Sequence, residues 1–174
     1  RAWFQFLYFG HNPKLVSVLD GGMKKWKLEK RKVTNIKTKI IPSKYIAIEN
    51  KNMIKIKSEI DENIKRKKFL ILDARSKNRF LGLEPEPRPG IKSGSIEGSK
   101  SLPLNELINT KNNTFLDKGK LKDIFNSKGA SNNETVMSCG SSVSASSLAL
   151  AYSIINDDYM AKIYIGSWTE YGKK

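Results

Sequence analysis

The sequence contains one cysteine and one histidine, Cys139 and His11, in 174 residues. A single cysteine excludes an internal disulfide, and one cysteine with one histidine cannot complete the tetrahedral shell of a structural zinc site. No apolar run reaches the roughly 18–20 residues that a membrane-spanning helix needs. We therefore expect neither a metal centre nor a membrane partner. We also expect the protein to lie in a reducing compartment, the cytoplasm, where the lone thiol stays free.

The chain is basic, with a formal net charge of +15, a property typical of nucleic-acid-binding proteins. The charge is concentrated, since residues 24–68 hold 16 Lys and Arg against 5 Asp and Glu. Few aromatic residues lie among these lysines, so stacking on bases is poorly supported. We interpret the stretch as a solvated surface and expect no nucleic-acid partner. Salt-sensitive nucleic-acid binding is the competing hypothesis.

Apolar runs alternate with amphipathic segments in the second half of the chain. Alternating strands and helices predict an α/β fold, with a parallel sheet flanked by helices on both faces. The predicted strands are 69–72, one near 101–104, 135–138 and 163–165. Three helices are predicted: one that begins near Met53, one over 118–128 and one over 143–155.

The first 32 residues have a different organisation. Residues 2–9 predict a buried helix that ends at Gly10, with His11 capping it, and Val16–Leu19 predicts a short strand. A helix with Met23, Trp26 and Leu28 on its buried side is expected next. The segment from 33 to 52 lacks clean periodicity, and its Pro42 excludes a continuous helix.

Cys139 follows a predicted buried strand and precedes the sequence Gly140-Ser141-Ser142, after which a helix begins. Ligands of open α/β sheets bind beyond the carboxyl ends of the strands. Amides at a helix N-terminus stabilise a thiolate relative to a thiol. Because no histidine lies near in sequence, these amides would have to activate the thiol. Taken alone, a cysteine in this position is more often a small buried core residue than a nucleophile.

Four motifs together resemble the two-domain sulfurtransferases, the rhodanese and 3-mercaptopyruvate sulfurtransferase family. RAWFQFLYFGH with VSVLDGGMKKW is similar to the end of their inactive N-terminal domain. LDARSKNRFLGLEPEPRPGIKSGSIEG is similar to the opening of the catalytic domain, SCGSSVSAS to its active-site loop and YIGSWTEYG to its closing motif. The resemblance implies a remnant of the N-terminal domain at 1–32, a linker at 33–52 and a catalytic rhodanese domain at 53–174.

The resemblance also implies a mechanism. The Cys139 thiolate would take a sulfur atom from a small-molecule donor, become a persulfide, and pass the sulfur to a thiol, cyanide or thioredoxin. No cofactor is implied, and the missing N-terminal domain would be a partner within the same protein. The Ser141 hydroxyl would assist protonation. The rest of the loop would hold the persulfide through backbone amides: Gly140, Ser142, Val143 and Ser144.

Two arginines match the family positions that bind the donor's carboxylate, Arg79 in NRF and Arg88 in EPEPR. A guanidinium suits a planar carboxylate because it can donate two parallel hydrogen bonds. The residues after Cys139 are uncharged, as in mercaptopyruvate-type loops, whereas thiosulfate-preferring members carry basic residues there. We therefore expect 3-mercaptopyruvate as the donor, with thiosulfate as the alternative.

The sequence departs from the family pattern at several positions. Ser142 stands where the family has a second loop glycine, which would strain a backbone of positive φ. Ser144 replaces a threonine. Ser95 and Glu97 stand where the family has the histidine and proline of SGHIPG.

Two other activities remain as alternatives. A related phosphatase would close a longer cysteine loop with an arginine, and residues 144–147 contain none. A non-catalytic sulfur carrier or binding module would keep the fold without the activity, which the joint presence of Cys139, Arg79 and Arg88 disfavours. Near the site, Asp73 and Arg75 are expected to form an ion pair. Packing roles are expected for the tryptophans, Trp3, Trp26 and Trp168.

Overall fold

The computed structural model describes residues 1–173, without the side chain of Asn132; Lys174, at the end of the predicted catalytic domain, lies outside them. Its centre is a sheet with strand order β1-β5-β4-β2-β3, in which every adjacent pair is parallel. The strands are β1 Ile54–Lys55, β2 Leu70–Asp73, β3 Lys100–Ser101, β4 Thr135–Ser138 and β5 Lys162–Tyr164.

Helices cover both faces of the sheet, as the alternating pattern predicted. They are α1 Ala2–Tyr8, α2 Gly22–Leu28, α3 Lys57–Arg66, α4 Lys77–Phe80, α5 Lys118–Ser127, α6 Val143–Asn156 and α7 Ser167–Tyr171. Short 3-10 helices span Pro13–Leu15, Lys51–Met53, Leu104–Leu107 and Ala130–Asn132. No helix in this described part of the chain is long and apolar enough to cross a membrane.

Alternate residues of the central strands enter two separate cores. Leu72 and Met137 face the core beneath α1, α5 and α6. Ile71 and Val136 face the opposite core, with Trp168 of α7. Strands buried on both faces read as continuous apolar runs, which is why β2 and β4 could be located from the sequence.

The first 32 residues agree with the sequence only in part. Helix α1 lies where it was predicted, and the His11 amide closes its end by donating to the Phe6 carbonyl at 2.9 Å. The strand predicted at Val16–Leu19 is wrong, because this segment is irregular. A β-branched run forms a strand only where a neighbouring strand pairs with its backbone, and none does so here among residues 1–173.

The predicted buried side of α2 is also wrong. Met23 and Leu28 are 53% and 61% exposed, because nothing in the described chain covers this face of the short helix. Trp26 is half-buried, with the Arg31 guanidinium over its ring. The helix predicted from Met53 begins later, at Lys57, because β1 takes up the preceding residues.

Helix α1 packs directly onto the sheet domain. Trp3, Phe4 and Leu7 are buried in the same core as residues of α5 and α6. Residues 33–50 contain neither helix nor strand and are almost all exposed. The start of the chain and the sheet domain therefore share a hydrophobic core although an irregular segment separates them.

Candidate active site

The site begins where β2 and β4 end side by side. Asp73 is in register with Ser138, and the Ala74 amide donates to the Ser138 carbonyl at 2.9 Å. The next residues, Arg75 and Cys139, therefore leave the same edge of the sheet together. This is the carboxyl edge at which parallel α/β sheets bind their ligands.

Cys139 is a free thiol, only 2% exposed, between the end of β4 and the start of α6. Within residues 1–173, the amides of Gly140, Ser141, Val143 and Ser144 donate to no other protein group. Helix α6 has 14 residues and no acidic side chain in its first turn. Its N-terminal partial positive charge therefore acts on the segment that follows the thiol, which favours an anion bound beside this segment.

Cys139 and the loop that follows it border an open pocket of about 330 Å³. Three of the lining residues are arginines, and the described lining contains no carboxylate, so the pocket suits an anion. All predicted site residues except Ser142 line it. The lining residues are Arg75, Arg79, Pro87, Arg88, Cys139, Gly140, Ser141, Val143 and Ser144.

A buried ion-pair network forms one wall. The Arg75 guanidinium contacts the Asp73 carboxylate at 2.7 Å and the Glu86 carboxylate at 2.7 Å, and all three side chains are almost fully buried. It also donates to the Gly94 carbonyl at 2.9 Å and lies over the Trp168 ring. The structure thus contains the predicted Asp73–Arg75 pair and adds Glu86, which the sequence reasoning missed.

Glu86 also holds Arg79. The Arg79 guanidinium donates through two nitrogens to the two Glu86 carboxylate oxygens. Burial raises the pKa of the Glu86 carboxyl, but hydrogen bonds from Arg79 and Arg75 outweigh burial and hold the pKa below its ordinary value. Arg79 therefore lines the pocket with its charge already balanced by a carboxylate.

Arg88 has different partners. Its guanidinium donates to the Thr169 hydroxyl at 2.8 Å and approaches the Ser141 hydroxyl at 3.4 Å. It forms no ion pair with a carboxylate of the described chain. Of the two arginines singled out from the sequence, Arg88 is the one whose charge is available to an incoming anion.

Ser142 adopts the backbone conformation that its family position suggested. It precedes α6 with φ of 57° and ψ of 10°, the left-handed region that favours glycine. Its hydroxyl donates to the Ser141 carbonyl at 2.8 Å and accepts from the Arg1 guanidinium. Arg1 donates to the Ser141 carbonyl as well, at 2.7 Å. Local hydrogen bonds thus hold a strained serine behind the pocket.

The closing segment, residues 166–169, ties this loop in place. The amides of Trp168 and Thr169 donate to the Cys139 and Gly140 carbonyls at 2.8 and 2.9 Å. The Thr169 hydroxyl donates to the Gly140 carbonyl as well. The motif YIGSWTEYG was recognised from the sequence, but its contact with the cysteine loop was not, because neither periodicity nor spacing reports such a long-range contact.

The other departures from the family pattern lie outside the pocket lining. Ser95 is half-buried and Glu97 exposed, and neither lines the pocket. The substitution at Ser144 keeps a hydroxyl-bearing residue in the lining.

Comparison with known proteins agrees with this geometry. A family model described as the rhodanese-like domain matches residues 57–174. The chain is 34% identical to human 3-mercaptopyruvate sulfurtransferase over 175 residues and 32% identical to mouse thiosulfate sulfurtransferase over 176 residues. These alignments cover 98% and 100% of the chain. They cover only 57% and 58% of the relatives, so the chain spans less than two thirds of the length of these curated proteins.

Solved structures are similar over nearly the whole chain. The 3-mercaptopyruvate sulfotransferase SseA from Escherichia coli aligns with a TM-score of 0.80 and 26% identity, over 97% of this chain and 61% of that one. Tum1 from Saccharomyces cerevisiae aligns with a TM-score of 0.74 and 27% identity, over 87% of this chain and 55% of that one. The sheet and helices described above are therefore arranged as in these proteins.

Proposed function

We propose that this chain, which belongs to the rhodanese family, is the catalytic part of a sulfurtransferase and carries sulfur on Cys139. The observation that carries the proposal is the position of the only thiol. It borders an arginine-lined pocket at the carboxyl edge of a parallel sheet, beside four amides that have no partner in the described part of the protein. A cysteine that served only to fill the core would require none of these features.

The proposed reaction has two displacements. The Cys139 thiolate attacks the sulfur atom of the donor, forming an S–S bond while the bond between that sulfur and the donor breaks. With 3-mercaptopyruvate, the leaving electron pair gives the enolate of pyruvate, which takes a proton. A thiolate or cyanide then attacks the outer sulfur of the persulfide, and the Cys139 thiolate is released. The free amides of the loop would stabilise the negative charge on the outer sulfur.

The donor is proposed to be 3-mercaptopyruvate. Arg88, which has no carboxylate partner in the described chain, would bind the carboxylate of 3-mercaptopyruvate. Arg79 would assist through the guanidinium N–H groups that Glu86 does not occupy. The Ser141 hydroxyl accepts from Arg88, so its own proton remains available for the enolate. Gly140 and Ser141 supply no positive charge beside the sulfur, which supports a monoanionic donor over the thiosulfate dianion.

The wider setting is also a proposal. The names of the relatives support a small-molecule sulfur donor. The proposed acceptor is a thiol, cyanide or thioredoxin, and the proposed compartment is a reducing one such as the cytoplasm, in which the thiol stays free. Residues 1–32 are proposed to be the end of a preceding rhodanese domain, 33–52 a linker and 53–174 the catalytic domain. A preceding domain of this kind would complete the cleft.

Steady-state sulfur transfer to cyanide with each donor tests the proposal. We expect turnover with 3-mercaptopyruvate to exceed turnover with thiosulfate, and Cys139→Ser to abolish both. A preference for thiosulfate would contradict the donor assignment and leave the class intact. Folded protein that turns over neither donor would favour the non-catalytic binding module instead.

A further inference from the structure

Ser167 is a buried residue beside the cysteine loop that has no assigned role in the proposed reaction. It begins α7, is completely buried and has φ of 50°, a left-handed conformation that disfavours serine. Its hydroxyl donates to the Tyr164 carbonyl at 3.0 Å. It accepts from the Cys139 amide at 3.3 Å and from the Ser142 amide at 3.1 Å. One side chain therefore binds both ends of the loop that carries the thiol.

These contacts divide the loop amides into two groups. The amides of Cys139 and Ser142 donate to Ser167. The amides of Gly140, Ser141, Val143 and Ser144 have no partner among the residues that the structure describes. The second group belongs to residues that line the pocket. An amide that is directed at a buried oxygen cannot be directed at the pocket, so the Ser167 hydroxyl determines which amides can face an anion.

The hydroxyl is not needed merely to attach the loop to α7. The backbone amides of Trp168 and Thr169 already donate to the Cys139 and Gly140 carbonyls, and these bonds do not depend on the side chain at 167. A strained backbone at a buried residue persists only where its surroundings require it. Here it places one oxygen within hydrogen-bonding distance of two amides that lie three residues apart.

We propose that Ser167 is a positioning residue that orients the loop amides toward the pocket, where they stabilise negative charge on the Cys139 sulfur and on its persulfide. The inference deepens the proposed sulfurtransferase function and rests on it for the persulfide. The effect on the thiol itself can be measured without any sulfur donor. Without the hydroxyl, two buried amides lose their acceptor and the loop is free to turn them toward other partners.

The test uses the fact that Cys139 is the only cysteine of the chain. The rate of alkylation by iodoacetamide, measured across a range of pH, reports the reactivity of this thiol directly. We expect Ser167→Ala and Ser167→Gly each to slow alkylation at neutral pH by about tenfold. The glycine variant relieves the positive φ and is therefore the variant more certain to fold.

The matched control is Ser153→Ala. Ser153 is also buried, and its hydroxyl donates to a backbone carbonyl, that of Ala149 at 2.9 Å, within α6. Among the described residues, its side chain forms no hydrogen bond with the cysteine loop. We expect this variant to lower the thermal midpoint, because it also loses the hydrogen bond of a buried hydroxyl. Its alkylation profile should be unchanged.

Two results would overturn the proposal. Alkylation at the wild-type rate in both folded variants would show that the hydroxyl has only a structural role. Slower alkylation in Ser167→Ala with the wild-type rate in Ser167→Gly would assign the effect to backbone strain. Slower alkylation in both variants supports the proposal even if the wild-type protein accepts no sulfur, a result that would count against the sulfurtransferase function alone.

Discussion

The two arginines singled out from the sequence differ in what they can bind. Arg79 is held by both oxygens of Glu86, whereas the Arg88 guanidinium, within residues 1–173, donates hydrogen bonds only to hydroxyl groups. A guanidinium already paired with a buried carboxylate has less of its charge available to a ligand. The sequence placed both arginines near the cysteine, but only the structure separates their roles.

Arg88→Gln should therefore weaken donor binding more than Arg79→Gln. Loss of a hydrogen bond between charged groups predicts a rise in KM for 3-mercaptopyruvate of about 10–100-fold. Arg79→Gln should instead lower stability, because it removes one cation from Glu86. The control is Arg66→Gln, since Arg66 is exposed and pairs only with Glu62 on α3. Equal KM values for the wild type and Arg88→Gln would contradict this assignment.

Glu86 should make stability sensitive to acid. Its pKa is lowered in the folded protein, so its ionised form stabilises the fold above the unfolded value of about 4.3. That contribution is lost as the pH falls through the folded pKa. Urea unfolding between neutral pH and pH values below 4.3 should show a steeper loss of stability in the wild type than in Glu86→Gln.

Glu106→Gln provides the comparison for Glu86. Glu106 is half exposed and lies 3.8 Å from Lys128, and surface pairs of this kind contribute little. The stability of the Glu106→Gln variant should therefore fall with pH as steeply as that of the wild type. Identical slopes for the wild type and Glu86→Gln would show that the network around Arg75 does not depend on the ionised carboxylate.

At the scale of elements, the strand β4, the loop and helix α6 were located correctly because their signals are local. A continuous apolar run predicts a strand buried on both faces, and small apolar residues predict a helix packed on it. The contact between the loop and α7 could not be predicted in this way. It joins residues 28 positions apart in sequence, and it depends on hydrogen bonds rather than on apolar periodicity.

Ser142 allows the strain in this loop to be measured. Neither alanine nor glycine has the hydroxyl, so comparing the two variants isolates the cost of the left-handed backbone. Ser142→Gly should be more stable than Ser142→Ala by about 1 kcal/mol. At Ser147, inside α6, the order should reverse by a similar amount, because glycine weakens a helix interior. Urea unfolding measures both differences. If the alanine variant is the more stable one at both positions, strain at Ser142 is excluded.

At the scale of the whole molecule, helix α1 and the sheet domain share one core. The resemblance assigned residues 1–32 to a different domain, and the start of α1 nevertheless packs against α6. The misassigned strand at Val16–Leu19 and the exposed side of α2 belong to the same region. Local propensity failed there because the described chain offers these segments no partner strand and no covering surface.

Phe4 and Phe6 test whether α1 is part of the folding unit. Phe4 is 3% exposed and Phe6 is 50% exposed on the same helix. Phe4→Ala should lower the free energy of unfolding by about 3–5 kcal/mol, whereas Phe6→Ala should lower it by less than about 1 kcal/mol. Similar small effects of both variants would mean that α1 is not part of the cooperative core.

The most direct test of the central claim is the mass of the protein after exposure to 3-mercaptopyruvate. The account predicts that the peptide containing Cys139 gains one sulfur atom, that cyanide or a small thiol removes it, and that Cys139→Ser gains none. A folded protein whose free thiol stays unmodified by both 3-mercaptopyruvate and thiosulfate would contradict the account.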